Sequence, residues 1–321
     1  MNHQLPSNLG LDMVRVTEAA ALAAGRWMGL KQPDQADRTT TQAMVETLNK
    51  INIDGAIVVG EEEKLGIHSS LDSGLRVGTG EGPALDVVLD PIDGTELLAV
   101  GHSDAISVIG VAPRGTMCSL YPAVYMDKIV VDREAAEYLV PECIDAPVAW
   151  TLALVARGKN KRVSDLVVFV LNRPRHKDLI DEICTAGARV ILRSQGDIAG
   201  AIMAASPQVH VDLLMGVGGV SEGVIAACGI KSLGGAIIGR LAPQTDHERA
   251  VIQDAGLDIS QIWTSKEMIT GEEVFFVATG VTDGALMSGV RYHGGRAQTE
   301  SIVLRGKTKT RRGIITEHLI E

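Results

Sequence analysis

Short apolar runs that stop abruptly at a carboxylate, an arginine or a glycine constrain this chain more than any other feature. Ile57-Val58-Val59-Gly60 runs into Glu61-Glu62-Glu63, and Val87-Val88-Leu89 ends on Asp90-Pro91-Ile92-Asp93-Gly94-Thr95. The run 167–171 gives way to Arg173-Pro174-Arg175-His176, and 211–215 to Gly216-Val217-Gly218-Gly219-Val220-Ser221-Glu222-Gly223. Runs of this length bounded by polar residues read as strands. Further strand patterns fall at 105–112, 121–132, 190–193, 274–279 and across 286–316. Between them, 11–30, 37–50, 176–186, 198–205, 221–230 and 246–255 carry helical patterns. Helix and strand alternate over the whole length, which predicts an α/β or α+β fold. Strand-rich ends and hairpin-like stretches argue against one uniformly parallel sheet.

Composition narrows the class. The 321 residues include 35 Gly but only three Trp, four Tyr and three Phe, so the core must be aliphatic and alanine-rich. Frequent glycine without a G-X-Y period predicts tight turns and close backbone approaches, not collagen. A hydrophobic share of 45% excludes a disordered chain. The length fits one large or two ordinary domains. Forty acidic residues against 30 basic give a net charge of −10, which opposes binding to nucleic acid or anionic membranes. No apolar run reaches the roughly 18 residues of a membrane helix, and residues 1–9 lack a signal layout. A cytoplasmic protein with no membrane partner is expected. Cys118, Cys143, Cys184 and Cys228 show no CxxC or zinc spacing and read as buried thiols of a reducing compartment.

The strand ends hold the candidate chemistry. Pro91 holds Asp90 extended and Gly94 permits a sharp turn, so Asp90 and Asp93 are kept close, where they repel unless protons or cations offset them. Thr95 then opens a helix, whose first amides face an anion. Carboxylates, turn, hydroxyl and helix start together suit metal-assisted phosphoryl transfer; an Asx turn with a helix cap is the alternative. Glu61, Glu62 and Glu63 read either as a solvated turn or as hard-cation ligands. Asp37 reads equally as a cap for the second helix. Glycines 216, 218 and 219 are expected to form a turn bringing backbone close to a ligand. The segment does not complete the dinucleotide fingerprint, and Glu222 at the helix start would repel a pyrophosphate but could ligate a metal. Arg173 and Arg175 suit bidentate phosphate recognition or an exposed turn. Arg305, Lys307, Lys309 and Arg311, spaced by two, are expected on one strand face, as an anion stripe or a solvated one.

Taken together, the motifs resemble class II fructose-1,6-bisphosphatases, bacterial enzymes that include dual fructose/sedoheptulose bisphosphatases and belong to the lithium-sensitive phosphatase superfamily. The segments that carry the likeness are Val16-Thr17-Glu18-Ala19-Ala20, Asn52-Ile53-Asp54-Gly55, Asp90-Pro91-Ile92-Asp93-Gly94-Thr95, Tyr125-Met126-Asp127-Lys128, Pro174-Arg175-His176, Gly218-Gly219-Val220-Ser221-Glu222-Gly223 and Arg305-Gly306-Lys307-Thr308. The resemblance implies a layered α-β-α-β-α sandwich of the sugar phosphatase type. It also implies a single unit with an N-terminal metal-site half, about 1–160, and a C-terminal α/β half, about 161–321.

The implied reaction is metal-dependent hydrolysis of the 1-phosphate of fructose 1,6-bisphosphate. Residue by residue, the likeness assigns metal binding, Mg²⁺ or Mn²⁺, to Asp37, Glu61, Asp90, Asp93 and Glu222, and catalysis to Thr95. Asp93, Gly94, Thr95, Tyr125, Arg173, Pro174, Arg175, Gly196, Asp197 and Gly219 would line the sugar-phosphate site. A homo-oligomer, dimer or tetramer, is expected. The sequence departs from the family's pattern in four places. Asp93 stands where the family has Glu, and Leu65 where an aspartate is expected. Pro33 replaces a lysine, and Gln195 opens the family's Asp-Gly-Asp loop. Sedoheptulose-bisphosphatase or inositol-phosphatase-like activity, or a sugar-phosphate-binding paralogue of weak catalysis, are the alternatives.

Overall fold

The computed structural model describes residues 5–60 and 70–320 of the chain. The chain forms two compact units, 1–117 with 271–321 and 118–270. It therefore changes unit twice, near 117 and near 270, where the sequence suggested one change near 160.

In the first unit, α1 (Leu9–Gly25) and α2 (Pro33–Leu48) pack on one face of a mixed sheet. Its strands are β1 (Asp54–Val59), β2 (Arg76–Val77), β3 (Ala84–Asp93), β4 (Ile106–Pro113), β11 (Phe275–Gly280), β12 (Arg291–His293), β13 (Arg296–Arg305) and β14 (Thr310–Leu319). Their order is β12-β13-β11-β4-β3-β1-β2, with β14 paired to β13. β1 and β3 are parallel and the other pairs antiparallel. Leu9, Met13, Val16 and Ala20 recur every three or four residues along α1, giving one buried stripe. That stripe meets Leu85, Val87 and Leu89 of β3, Ile109 and Val111 of β4, and Phe275 and Val277 of β11. Alternate residues of each strand join this core, as a strand's period of two requires. Each such side chain contributes roughly 1.5–3 kcal/mol on burial. Gly10 lets α1 lie close: a Cβ there would come within 2.9 Å of Val303 Cγ1.

In the second unit a six-stranded sheet carries helices on both faces. Its strands are β5 (Tyr125–Val131), β6 (Val167–Leu171), β7 (Arg189–Arg193), β8 (Leu213–Gly219), β9 (Ala236–Leu241) and β10 (Ile262–Thr264), in the order β10-β9-β5-β8-β6-β7. Ile129, Val131, Val168, Val170, Leu213, Met215 and Ile238 face the helices Val148–Gly158 and Lys177–Thr185, called α4 and α5. The opposite face packs on α6 (Asp197–Ala205) and α7 (Val220–Leu233). Gly200 of α6 rests on the Phe169 ring where no Cβ would fit. Two short helices, α8 (Asp246–Asp254) and α9 (Ser265–Met268), complete the unit. The first unit is thus layered α-β and the second α-β-α, each of the expected α/β class. No helix among the described residues is long and apolar enough to cross a membrane.

Three sequence expectations need correction. Gly216, Gly218 and Gly219 form no turn: they are the second half of β8, paired with Lys128, Met126 and Tyr125 of β5. Arg305, Lys307, Lys309 and Arg311 do not share a strand face. Arg305 ends β13, Arg311 lies in β14, and the lysines sit in the hairpin between them. Lys307 pairs with Glu273 and Lys309 with Glu272, each at 2.5 Å, so Coulomb attraction spends this basic group inside the unit. Finally, only Cys143 and Cys228 are buried, while Cys118 is half-buried and Cys184 exposed on α5.

Candidate active site

In the first unit the site residues gather at the end of β3. Leu85, Val87 and Leu89 point into the helix-side core, so Asp86, Val88 and Asp90 point to the other face. The strand bulges after Asp90: Asp90 opposes Val108 and Asp93 opposes Ile106, so one β3 residue is extra. Pro91 has no N–H for the ladder, and the Ile92 N–H donates instead to Asp90 Oδ1 at 3.0 Å. Gly94, at φ 100°, makes the left-handed step that turns the strand into α3 (Thr95–Val100). Thr95 is half-buried, and its Oγ1 donates to the Ile92 carbonyl at 3.2 Å. Asp37 is half-buried and lies inside α2, so it does not cap that helix; α2 packs on β3 and α3.

Asp90 and Asp93 are 5% and 4% exposed, three residues apart. Carboxylates buried this deeply are costly unless cations or hydrogen-bond donors offset them. As oxygen donors they suit a hard cation such as Mg²⁺ or Mn²⁺. Among the described residues no three Asp, Glu, His or Cys side chains converge to hold a metal by themselves. Glu61, Glu62, Glu63 and Leu65 lie outside the described residues.

In the second unit the remaining site residues gather at one end of the sheet. The chain leaves β6 through a single turn, Pro174–His176, that presents Arg173 and Arg175. Arg175 lies over the Tyr125 ring, 4.9 Å from its centroid, and donates through Nη2 to the Val217 carbonyl at 3.0 Å. Tyr125 pairs with Gly219. A Cβ on Gly219 would fall on the Glu222 carboxylate, which therefore folds back from α7 over the end of β8. Glu222 also accepts a hydrogen bond from Ser221 Oγ at 3.2 Å. Gly196, left-handed at φ 90°, starts α6 at Asp197. That buried carboxylate bonds Lys128 Nζ at 2.5 Å, the two side chains being 8% and 0% exposed. Burial pushes the Asp127 carboxyl up from its ordinary value, against the attraction of Lys128 and Arg240.

Sequence reasoning missed Lys128 and His176 as parts of this site, although both stand in motifs already singled out. The available signal was a lysine at the start of the apolar run Ile129-Val130-Val131, which must find a buried partner if the strand is buried. For His176 it was an imidazole next to paired arginines.

The family model described as bacterial fructose-1,6-bisphosphatase, glpX-encoded, matches residues 7–318. A D-fructose 1,6-bisphosphatase class 2/sedoheptulose 1,7-bisphosphatase from Synechococcus sp. (strain JA-2-3B'a(2-13)) is 35% identical over 339 residues, covering 98% of this chain and 96% of that protein. A fructose-1,6-bisphosphatase class 2 from Haemophilus influenzae is 36% identical over 326 residues, with the same two coverages of 98% and 96%. Among solved structures, the extragenic suppressor protein suhB from Bartonella henselae resembles 62% of this chain and 73% of its own at 12% identity, with a TM-score of 0.32, a likeness too slight to bear on function. A match that runs from residue 7 to residue 318, with relatives of nearly equal length, leaves one reading: the chain belongs to the class 2 fructose-1,6-bisphosphatase family.

Proposed function

We propose that this enzyme hydrolyses the 1-phosphate of fructose 1,6-bisphosphate, releasing fructose 6-phosphate and inorganic phosphate. Family membership supplies the reaction. The observation that carries it to these residues is the gathering of Tyr125, Arg173, Arg175, Gly219 and Glu222 at one end of the six-stranded sheet. Arg173 and Arg175 bind the remote phosphate, Arg175 steadied by the Tyr125 ring and the Val217 carbonyl. Its binding energy orients the reacting phosphate. Asp37, Glu61, Asp90, Asp93 and Glu222 are the residues we assign to the metal. Mg²⁺ or Mn²⁺, when bound, stabilises the phosphoryl oxygens and lowers the pKa of a water. Thr95 offers its hydroxyl beside the attacked phosphate, while Gly94, Pro174, Gly196 and Asp197 line the site.

A seven-carbon bisphosphate is the second reading. One relative carries both activities in its name, and a cavity of about 580 Å³ is lined by Asp127, Val217 and Arg240 among others, Val217 being the residue whose carbonyl Arg175 bonds. We assign the enzyme to the cytoplasm as a homodimer or homotetramer; an assembly accords with the exposed Ile315 and Leu319 of β14, and light scattering tests it.

Phosphate release from fructose 1,6-, sedoheptulose 1,7- and inositol phosphates, with Mg²⁺ and Mn²⁺ in turn, tests the activity. The highest kcat/KM is expected for fructose 1,6-bisphosphate, and Asp90→Asn is expected to abolish it with the fold intact. Binding of the sugar bisphosphates without turnover of any of them would leave a binding paralogue and refute the enzyme.

A further inference from the structure

We infer that His176 is a positioning residue for substrate binding: its neutral imidazole clamps the Arg173–Arg175 turn to β8. This rests on the reading of the two arginines as ligands of the remote phosphate. β6 and β8 pair directly only at Val168 with Leu213 and Phe169 with Leu214. Beyond that point the His176 ring makes the connection. Nδ1 lies 2.7 Å from the Leu171 carbonyl, and Nε2 accepts the Val217 N–H at 2.8 Å. A carbonyl at one ring nitrogen and an N–H at the other admit one form, the neutral tautomer protonated at Nδ1.

The same Val217 that gives its N–H to His176 gives its carbonyl to Arg175 Nη2 at 3.0 Å. The imidazole and the guanidinium are therefore tied through a single residue of β8. The turn is closed from its other side, where the His176 N–H donates to the Arg173 carbonyl at 2.9 Å. Gly216 leaves room for the ring: at φ 122°, a Cβ there would lie 2.9 Å from Nε2. His176 is 3% exposed, and burial draws its pKa below the ordinary histidine value, in keeping with the neutral form its two hydrogen bonds require. No atom of His176 is free to reach substrate through its ring nitrogens, since both are committed to the backbone. Its influence must pass through the arginines.

Glutamine carries one acceptor and a donor on its amide, so it can replace both ring contacts, whereas leucine fills the space and makes neither. The test measures binding of fructose 1,6-bisphosphate by calorimetry, together with KM and kcat, in the full-length wild type, His176→Leu, His176→Gln and Arg175→Gln. His176→Leu is expected to weaken binding and raise KM by about tenfold or more while kcat stays within about threefold. His176→Gln is expected to restore both to within about threefold of wild type. Should the leucine variant not fold, His176→Asn, too short to span both contacts, takes its place with the same expectation. Wild-type affinity in the leucine or asparagine variant, or a glutamine variant as weak as leucine, overturns the proposal while Arg175→Gln still loses affinity. Unchanged affinity in Arg175→Gln overturns the phosphate role of that arginine, and the role of His176 falls with it.

Discussion

Replacing Lys128 by methionine removes the positive member of a deeply buried ion pair in the second unit. Lys128 is fully buried and Asp197 nearly so, with Nζ 2.5 Å from Oδ2. Methionine matches the aliphatic stem, so little packing is lost and the effect isolates the charge. Asp197 would keep its place as the first residue of α6, where the helix start favours an anion by about 0.3–1 kcal/mol. That offsets only part of the cost of a buried carboxylate deprived of its lysine, typically about 3–5 kcal/mol. The expected loss is therefore about 3 kcal/mol, the low end of that range. For a folding unit near 150–250 residues this lowers Tm by roughly 6–12 °C. Urea unfolding followed by tryptophan fluorescence reads it, because Trp150 on α4 and Trp263 on β10 both report on this unit. The double variant Lys128→Met/Asp197→Leu, which removes both charges, should recover most of the loss. A single variant that loses under about 1 kcal/mol would refute the reasoning. So would a double variant no more stable than the single, since the cost would then lie in packing and not in charge.

Two further outcomes are expected. Burial raises the Asp127 pKa, so the stability this carboxyl lends is fully present below its ordinary value of 3.8 and is lost as pH rises through its folded value. Asp127→Asn should therefore be more stable than wild type at pH 7 by urea midpoint, with the gain vanishing near pH 3.8; a loss at pH 7 would show the carboxylate to be net favourable. Thr95→Ala should lower kcat much more than it raises KM, because a hydroxyl beside the attacked phosphate acts mainly in the transition state. An unchanged kcat in steady-state assays would remove Thr95 from the mechanism.

Much of the architecture was legible in the apolar runs themselves. β6, α5 and α6 fall within a residue or two of where periodicity puts them, since a Val/Ile/Leu run or a helical stripe states its own period. Other elements escaped that reading, α4 and β9 among them. α4 follows Pro147 with no polar cap side chain to announce it, and its stripe Thr151, Leu152, Val155 and Ala156 becomes meaningful only against the sheet it covers. β9 follows Gly234-Gly235, which reads as loop, yet Gly235 is held by the Ile230 carbonyl and its neighbour strand β5 defines the pairing. In the first unit the acidic corner was readable because Asp90, Pro91, Asp93 and Gly94 are adjacent in the chain. In the second, Lys128 meets Asp197 and His176 meets Val217 across tens of residues, and no local pattern encodes such a meeting.

The glycines of β8 show how that non-local information nevertheless leaves a trace. Gly is a poor strand former, so Gly216, Gly218 and Gly219 suggest a turn when only local propensity is weighed. In the folded unit each stands where a group from another element, or from the next helix, occupies the space of a side chain. His176 Nε2 fills it at Gly216, Asp197 and Lys128 at Gly218, and the Glu222 carboxylate at Gly219. Alternate strand residues face opposite sides, so Gly218 opens toward α6 and α7, whereas Gly219 opens toward the Tyr125 face. The run of glycines is therefore a cast of the site: it records, in the strand that contributes no functional side chain, where the imidazole, the ion pair and the carboxylate of its neighbours must lie. A strand interior whose glycines lie on both faces is better read as a surface against which polar groups are packed from two sides than as a break in the sheet.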